Sequence, residues 1–90
     1  MGTAIASNKI ILTKWVEEAL YENKGSGNVI EIAKIIWKNH ETDLKMSGDL
    51  FYTWQYDYRW AATHLRQKGV LKSAKDSPRG VWELVNQYLE

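Results

Sequence analysis

Ninety residues with 44% hydrophobic content, five Trp and five Tyr bound the chain to one compact domain with a single aromatic-rich core. The formal charge is +1, from 12 basic against 11 acidic residues, and there is no cysteine. That excludes a disulfide framework and a thiolate metal centre and fits a reducing, cytoplasmic setting. No apolar run approaches the roughly 20 residues of a membrane span, and the first residues lack a charged-then-apolar signal pattern, so no membrane partner is expected.

Residues 1–7 are small and weakly patterned and predict a flexible N-terminal arm, with one domain filling 8–90. From Asn8 to Asn23, Leu12, Trp15, Val16, Ala19 and Leu20 recur at helical spacing opposite Lys14, Glu17, Glu18 and Glu22. This is the pattern of an amphipathic helix. Lys24-Gly25-Ser26-Gly27 reads as the turn that ends it. Asn28 and Glu31 then have the spacing of a reciprocal cap. The second helix so capped would bury Val29, Ile32, Ala33, Ile36 and Trp37 and run to about Asn39. Glu41 to Asp49 reads as a connection with one short helical turn, and Asp49 as the cap of the next helix.

Leu50 to Lys68 contains neither Pro nor Gly, and Trp54, Tyr58, Ala61 and Leu65 fall on one helical face. That phase turns Tyr52, Tyr56, Arg59, Thr63 and Gln67 away from the core and leaves Trp60 and Arg66 on the flanks. Gly69 ends the helix. Val70-Leu71 and Val81 to Val85 then bracket the polar segment Lys72 to Gly80, predicting two strands around a turn. Trp82 and Leu84 share one face of the second strand by its period of two. Charge concentrates here: Arg59 to Arg79 carries six cations against Asp76 alone, an excess of five, while the rest of the chain is left at a net −4. Such asymmetry points to a face directed at a polyanion.

The run Trp60-Ala61, Leu65, Gly69-Val70-Leu71 and Arg79-Gly80-Val81-Trp82-Glu83-Leu84 resembles the end of the winged-helix domain at the N-terminus of Mrr-type restriction endonucleases. The likeness spans about Leu50 to Val85, with the first two helices similar in outline. It implies a mainly α (α+β) fold: a three-helix winged helix-turn-helix with a C-terminal two-stranded β-hairpin wing. It also implies binding of double-stranded DNA; the settings open to such a protein are transcriptional control, a restriction or mobile-element system, or the detached DNA-binding part of a larger enzyme, with a nucleoid association if it is prokaryotic. The nuclease half of that family, with its paired acids and lysine, has no room in this chain, so the expectation is DNA binding without catalysis.

In such a complex the outward residues near the start of the third helix meet base edges. Thr53, Gln55, Tyr56 and Arg59 are the candidates, Arg59 for a guanine and Gln55 for an adenine. Tyr52, Thr63 and Arg66 extend that surface, and Lys72, Lys75 and Arg79 are the wing cations for phosphates. Asp57 would repel a phosphate or accept from a cytosine. The aromatic density from Phe51 to Trp60 also admits a ring that reads an unstacked base, but core packing is the reading taken for Trp54 and Tyr58; residues Leu84 to Leu89 are candidates to cover Trp60.

His40 and His64 lack the spacing of a zinc motif and are expected at the surface. Ser26, Ser47, Ser73 and Ser77 have no adjacent base, so neither an enzyme nor a cofactor is expected. The rival use of the same fold is a protein-protein interaction module, with a homodimer or a partner protein held by an exposed stripe of Tyr52, Tyr56 and Trp60.

Overall fold

A computed structural model describes the backbone of residues 2–85 and the side chains from residue 10 onward. Three helices, α1 (Gly2–Glu22), α2 (Val29–Lys45) and α3 (Leu50–Gln67), carry two short strands, β1 (Ser26–Asn28) and β2 (Val81–Glu83). The architecture is mainly helical with a two-stranded antiparallel sheet. The helix expected from Asn8 begins at Gly2, so residues 2–7 of the expected arm fall within the bounds of α1.

The core is the one the helical periods announce. Leu12, Val16, Ala19 and Leu20 of α1 meet Ile32, Ile36 and Leu44 of α2 and Trp54, Tyr58, Ala61 and Leu65 of α3, all buried. Trp37, placed in the expected stripe, packs half-buried against that cluster with its ring 6.0 Å from Trp54 and nearly parallel to it. The reciprocal cap forms as its spacing requires: the Glu31 amide donates to Asn28 Oδ1 at 2.8 Å, and the Asn28 amide to Glu31 Oε1 at 2.9 Å. Asp49 behaves otherwise. Its own backbone is helical at φ −61°, ψ −30°, and its carboxylate makes no capping bond, since a capping side chain reaches back only from an extended backbone.

The second helix runs six residues beyond its expected end at Asn39, to Lys45, and bends at His40, whose φ of −131° lies outside the helical range. The short turn expected after Glu41 is the piece beyond that bend. His40 is also less exposed than expected. Its ring lies flat on Trp15 with centroids 4.0 Å apart, and its nitrogens face Glu18 at 3.0 Å and Asp43 at 3.6 Å. A flat imidazole has a polar edge and two faces that stack on an indole, which suits it to a half-buried seam between helices.

The strands depart most from expectation. Ser26-Gly27, read as part of a helix-ending turn, forms a strand with the cap residue Asn28, paired antiparallel with β2 so that Ser26 faces Glu83, Gly27 faces Trp82 and Asn28 faces Val81. The expected hairpin partner, Val70-Leu71, lies on the other edge of β2. It is reduced to one bridge, Leu71 to Leu84, flanked by amide bonds from Lys72 to the Glu83 carbonyl at 2.8 Å and from Val85 to the Val70 carbonyl at 3.0 Å. After Lys72 the chain leaves the extended conformation for a 3-10 turn at Ala74–Asp76, which stops that pairing from growing. Trp82 and Leu84 point into the core as the period of two demands. The suggested cover of Trp60 by Leu84 to Leu89 falls mostly on residues 86–90, outside the described residues.

Gly27 sits where a side chain would crowd its neighbours. A Cβ there would come within 2.8 Å of both Asn23 Nδ2 and Ile32 Cδ1, and that Asn23 amide already donates to the Ser26 carbonyl at 2.7 Å. Gly27→Val is expected to cost about 1–3 kcal/mol through overpacking, read as a lower urea midpoint with an unchanged slope.

Candidate nucleic-acid interface

The phase of α3 sets the geometry of the outward ridge. With Trp54, Tyr58 and Leu65 buried, Tyr52 and Tyr56 stand 83% and 78% exposed, and Thr53, Gln55, Arg59 and Thr63 are exposed beside them. Thr53 Oγ1 donates to Asp57 Oδ2 one turn on, at 2.9 Å, and Thr63 Oγ1 to the Arg59 carbonyl at 3.3 Å. The Asp57 carboxylate is thus partly engaged within the helix. Trp60 does not extend the tyrosine stripe: it is half-buried and stacked on His64 at 5.1 Å.

Tyr58 anchors the ridge from below. Its hydroxyl donates to the Val29 carbonyl at 2.8 Å, tying α3 to the first residue of α2. Burial pushes the phenol above its ordinary pKa, with the neighbouring Arg59 pulling the other way. Since the unfolded phenol ionises near pH 10 and the folded one later, the unfolded chain sheds its proton first. Stability is therefore complete below that pH and falls as pH rises above it. Tyr58→Phe is expected to flatten this alkaline loss in urea titrations between about pH 9 and 11, while lowering stability at neutral pH because the Val29 carbonyl loses its donor.

Arg66 from the helix surface and the three predicted wing cations divide into those held by the fold and those left exposed. Arg66 is a brace: its Nε donates to the Lys72 carbonyl at 3.1 Å and its Nη2 to the Val81 carbonyl at 3.4 Å, joining the end of α3 to both sides of the polar segment. Lys72 lies 3.9 Å from Glu83 and is half-buried. Lys75 and Arg79 are exposed on the segment itself, where Asp76 is occupied by Ser73 Oγ at 3.0 Å. Neither makes an ion pair among the described residues.

Arg59 and Arg79 border adjoining parts of one surface. A groove of about 500 Å³ between α2 and α3 has Arg59 and Gln55 on its rim. A second depression, formed by the start of α2, has Arg79 and Gly80 on its edge. Ile30 and Lys34 belong to both. Lys34 is a cation that sequence reasoning misses, because nothing in the local pattern of α2 says which neighbour its polar face will meet. Glu31, which lines the second depression, accepts from the Asn28 amide in the cap of α2 and keeps its charge. Other paired charges lie elsewhere: Lys38 with Glu22 at 3.1 Å, where the Asn39 amide and that cation hold the Glu22 carboxyl below its ordinary range, and Lys45 with Glu41 at 2.7 Å.

Among the described residues no cluster of His, Asp or Glu is placed to hold a metal ion, and no helix is long and apolar enough to cross a membrane. No protein-family model, curated protein or solved structure matches this chain.

Proposed function

We propose that the domain is a winged helix-turn-helix that binds double-stranded DNA without catalysis. In this reading α3 lies in the major groove, with Gln55, Tyr56 and Arg59 toward base edges and Tyr52 and Thr53 toward the backbone. The segment 72–80 is the wing, and Lys75 and Arg79 meet phosphates, with Lys34 added from α2. The order of elements supports it: a short strand between the first two helices, then a third helix, then a basic segment carried on β2. The observation that carries it is the grouping of Lys34, Arg59 and Arg79 around Ile30, three cations against Glu31 as the one acid, among the described residues, lining these two depressions. Arg66 acts as the brace of the wing, and the cation density read from Arg59 to Arg79 reaches DNA chiefly through its exposed members.

Titration of a random-sequence duplex at two salt concentrations tests this. Neutralising about four phosphates gives a slope near −3.6 in log affinity against log salt, so a fourfold rise in salt should weaken binding roughly a hundredfold. Binding indifferent to salt, or none at low salt, refutes the proposal.

A second reading rests on Tyr52 and Tyr56, two large rings left in solvent on one helix face. Such a stripe suits a homodimer or partner contact. A protein that sediments as a dimer, becomes monomeric on Tyr56→Ala and ignores duplex DNA would favour it.

A further inference from the structure

The groove between α2 and α3 has an apolar wall that duplex binding leaves unused, beside cations that the duplex reading also employs. Its inner wall is aromatic: Trp37 of α2 and Trp54 of α3 stack at 6.0 Å with planes 12° apart, next to Tyr58. Ile30 and Ala33 complete the apolar lining. At the mouth stand two cations from facing helices, Lys34 and Arg59, with the Gln55 amide between apolar wall and solvent. Among the described residues no carboxylate borders the space. A volume of about 500 Å³ is in the range of small-molecule sites rather than of packing defects.

We propose that this groove binds a small planar aromatic anion, a flat carboxylate or sulfonate whose ring lies against the open part of Trp37 and whose charge sits between Lys34 and Arg59. The part of the Trp37 indole left open, beside Ile30 and Ala33, offers an apolar surface that favours a ring over a flexible chain. Two cations with no acid beside them in the groove select a negative charge and reject a positive one. The Gln55 amide has a donor left for one anionic oxygen. This site stands on the groove's own chemistry and not on the reading of the domain as DNA-binding.

The test uses the whole chain with no DNA present. The probe is 8-anilinonaphthalene-1-sulfonate, followed by its emission on excitation of tryptophan. It should bind with one-to-one stoichiometry and raise the thermal midpoint, as a ligand of the folded state must. The neutral analogue N-phenyl-1-naphthylamine should bind at least about tenfold more weakly, and Lys34→Ala with Arg59→Ala should weaken the sulfonate by about the same factor, the sum expected of two exposed charges. 2-Naphthoate should displace the probe and decanoate should not. Tyr52→Ala with Tyr56→Ala, outside the groove, should leave affinity unchanged, whereas Ala33→Trp should abolish binding by filling it. Equal binding of the neutral analogue, indifference to the cation pair, or displacement by decanoate as readily as by naphthoate overturns the proposal. Failure here leaves the duplex reading intact, and a chain that ignores duplex DNA can still pass.

Discussion

Replacing Arg59 and Arg79 together by glutamate should lower affinity for every duplex sequence by about a hundredfold near 0.1 M salt and flatten the salt slope by about one. The Arg79 reversal removes one released counterion, the Arg59 reversal a base contact, and each adds a charge that the phosphates repel. The two residues edge adjoining depressions that share Lys34, so both changes act on one field. The control is a pair of reversals with the same net effect on charge, Lys14→Glu and Lys24→Glu, at exposed positions that line neither depression. Affinity should then fall by less than about tenfold, because at 0.1 M salt charges more than roughly 10 Å away are screened. Equal losses from the two pairs would mean that net charge alone governs binding and that the grouped cations have no special role. Arg59→Ala tested on a selected site separates the roles further: a base contact is lost at one position of the sequence, whereas a phosphate contact is lost for all sequences alike.

How much the sequence could disclose depends on the range of the forces involved. The phase of α3 was legible because four core residues, Trp54, Tyr58, Ala61 and Leu65, repeat at the helical period, and that phase alone places Tyr52, Tyr56 and Arg59 outside. The cap of α2 was legible because Asn28 and Glu31 are three residues apart and bond each other. The strand at Ser26–Asn28 was not. Ser, Gly and Asn have little intrinsic preference for strands, and these three are extended because Val81–Glu83, distant in sequence, supplies their partners. Gly27 is small there because Asn23 and Ile32 fill the space, a reason no local reading contains. The same limit hid Lys34, whose groove neighbours come from α3 and from Arg79-Gly80, and the bracing role of Arg66, whose acceptors are carbonyls of Lys72 and Val81. Charge density along the chain showed that a cationic stretch exists; only tertiary contacts tell which cations are committed to structure.

The largest effect on stability is expected from Trp82→Ala. Trp82 is the middle residue of β2, 6% exposed, with its ring against Tyr58 at 5.4 Å and 70°, an edge-to-face contact. Its backbone faces Gly27, while its neighbours Val81 and Glu83 accept from Arg66 and Lys72 respectively. Removing the indole empties a site enclosed by all three of these connections, which cannot collapse without moving β1. The cost should be about 3–5 kcal/mol, against a total of roughly 5–13 kcal/mol for a domain of this size. At about 4–8 °C per kcal/mol, the thermal midpoint should fall by at least roughly 12 °C, with Trp82→Phe losing much less because a ring still meets Tyr58. The function should be affected through β2 as well, since that strand carries the 72–80 segment. If the segment contacts DNA, Trp82→Ala measured well below its midpoint should weaken duplex binding by more than its unfolded fraction accounts for, and should reduce the salt slope by the contribution of Lys75 and Arg79. A loss of stability under about 1 kcal/mol would show that the indole does not hold the strand, and full DNA affinity in a folded Trp82→Ala protein would show that the segment carried by β2 is not a wing.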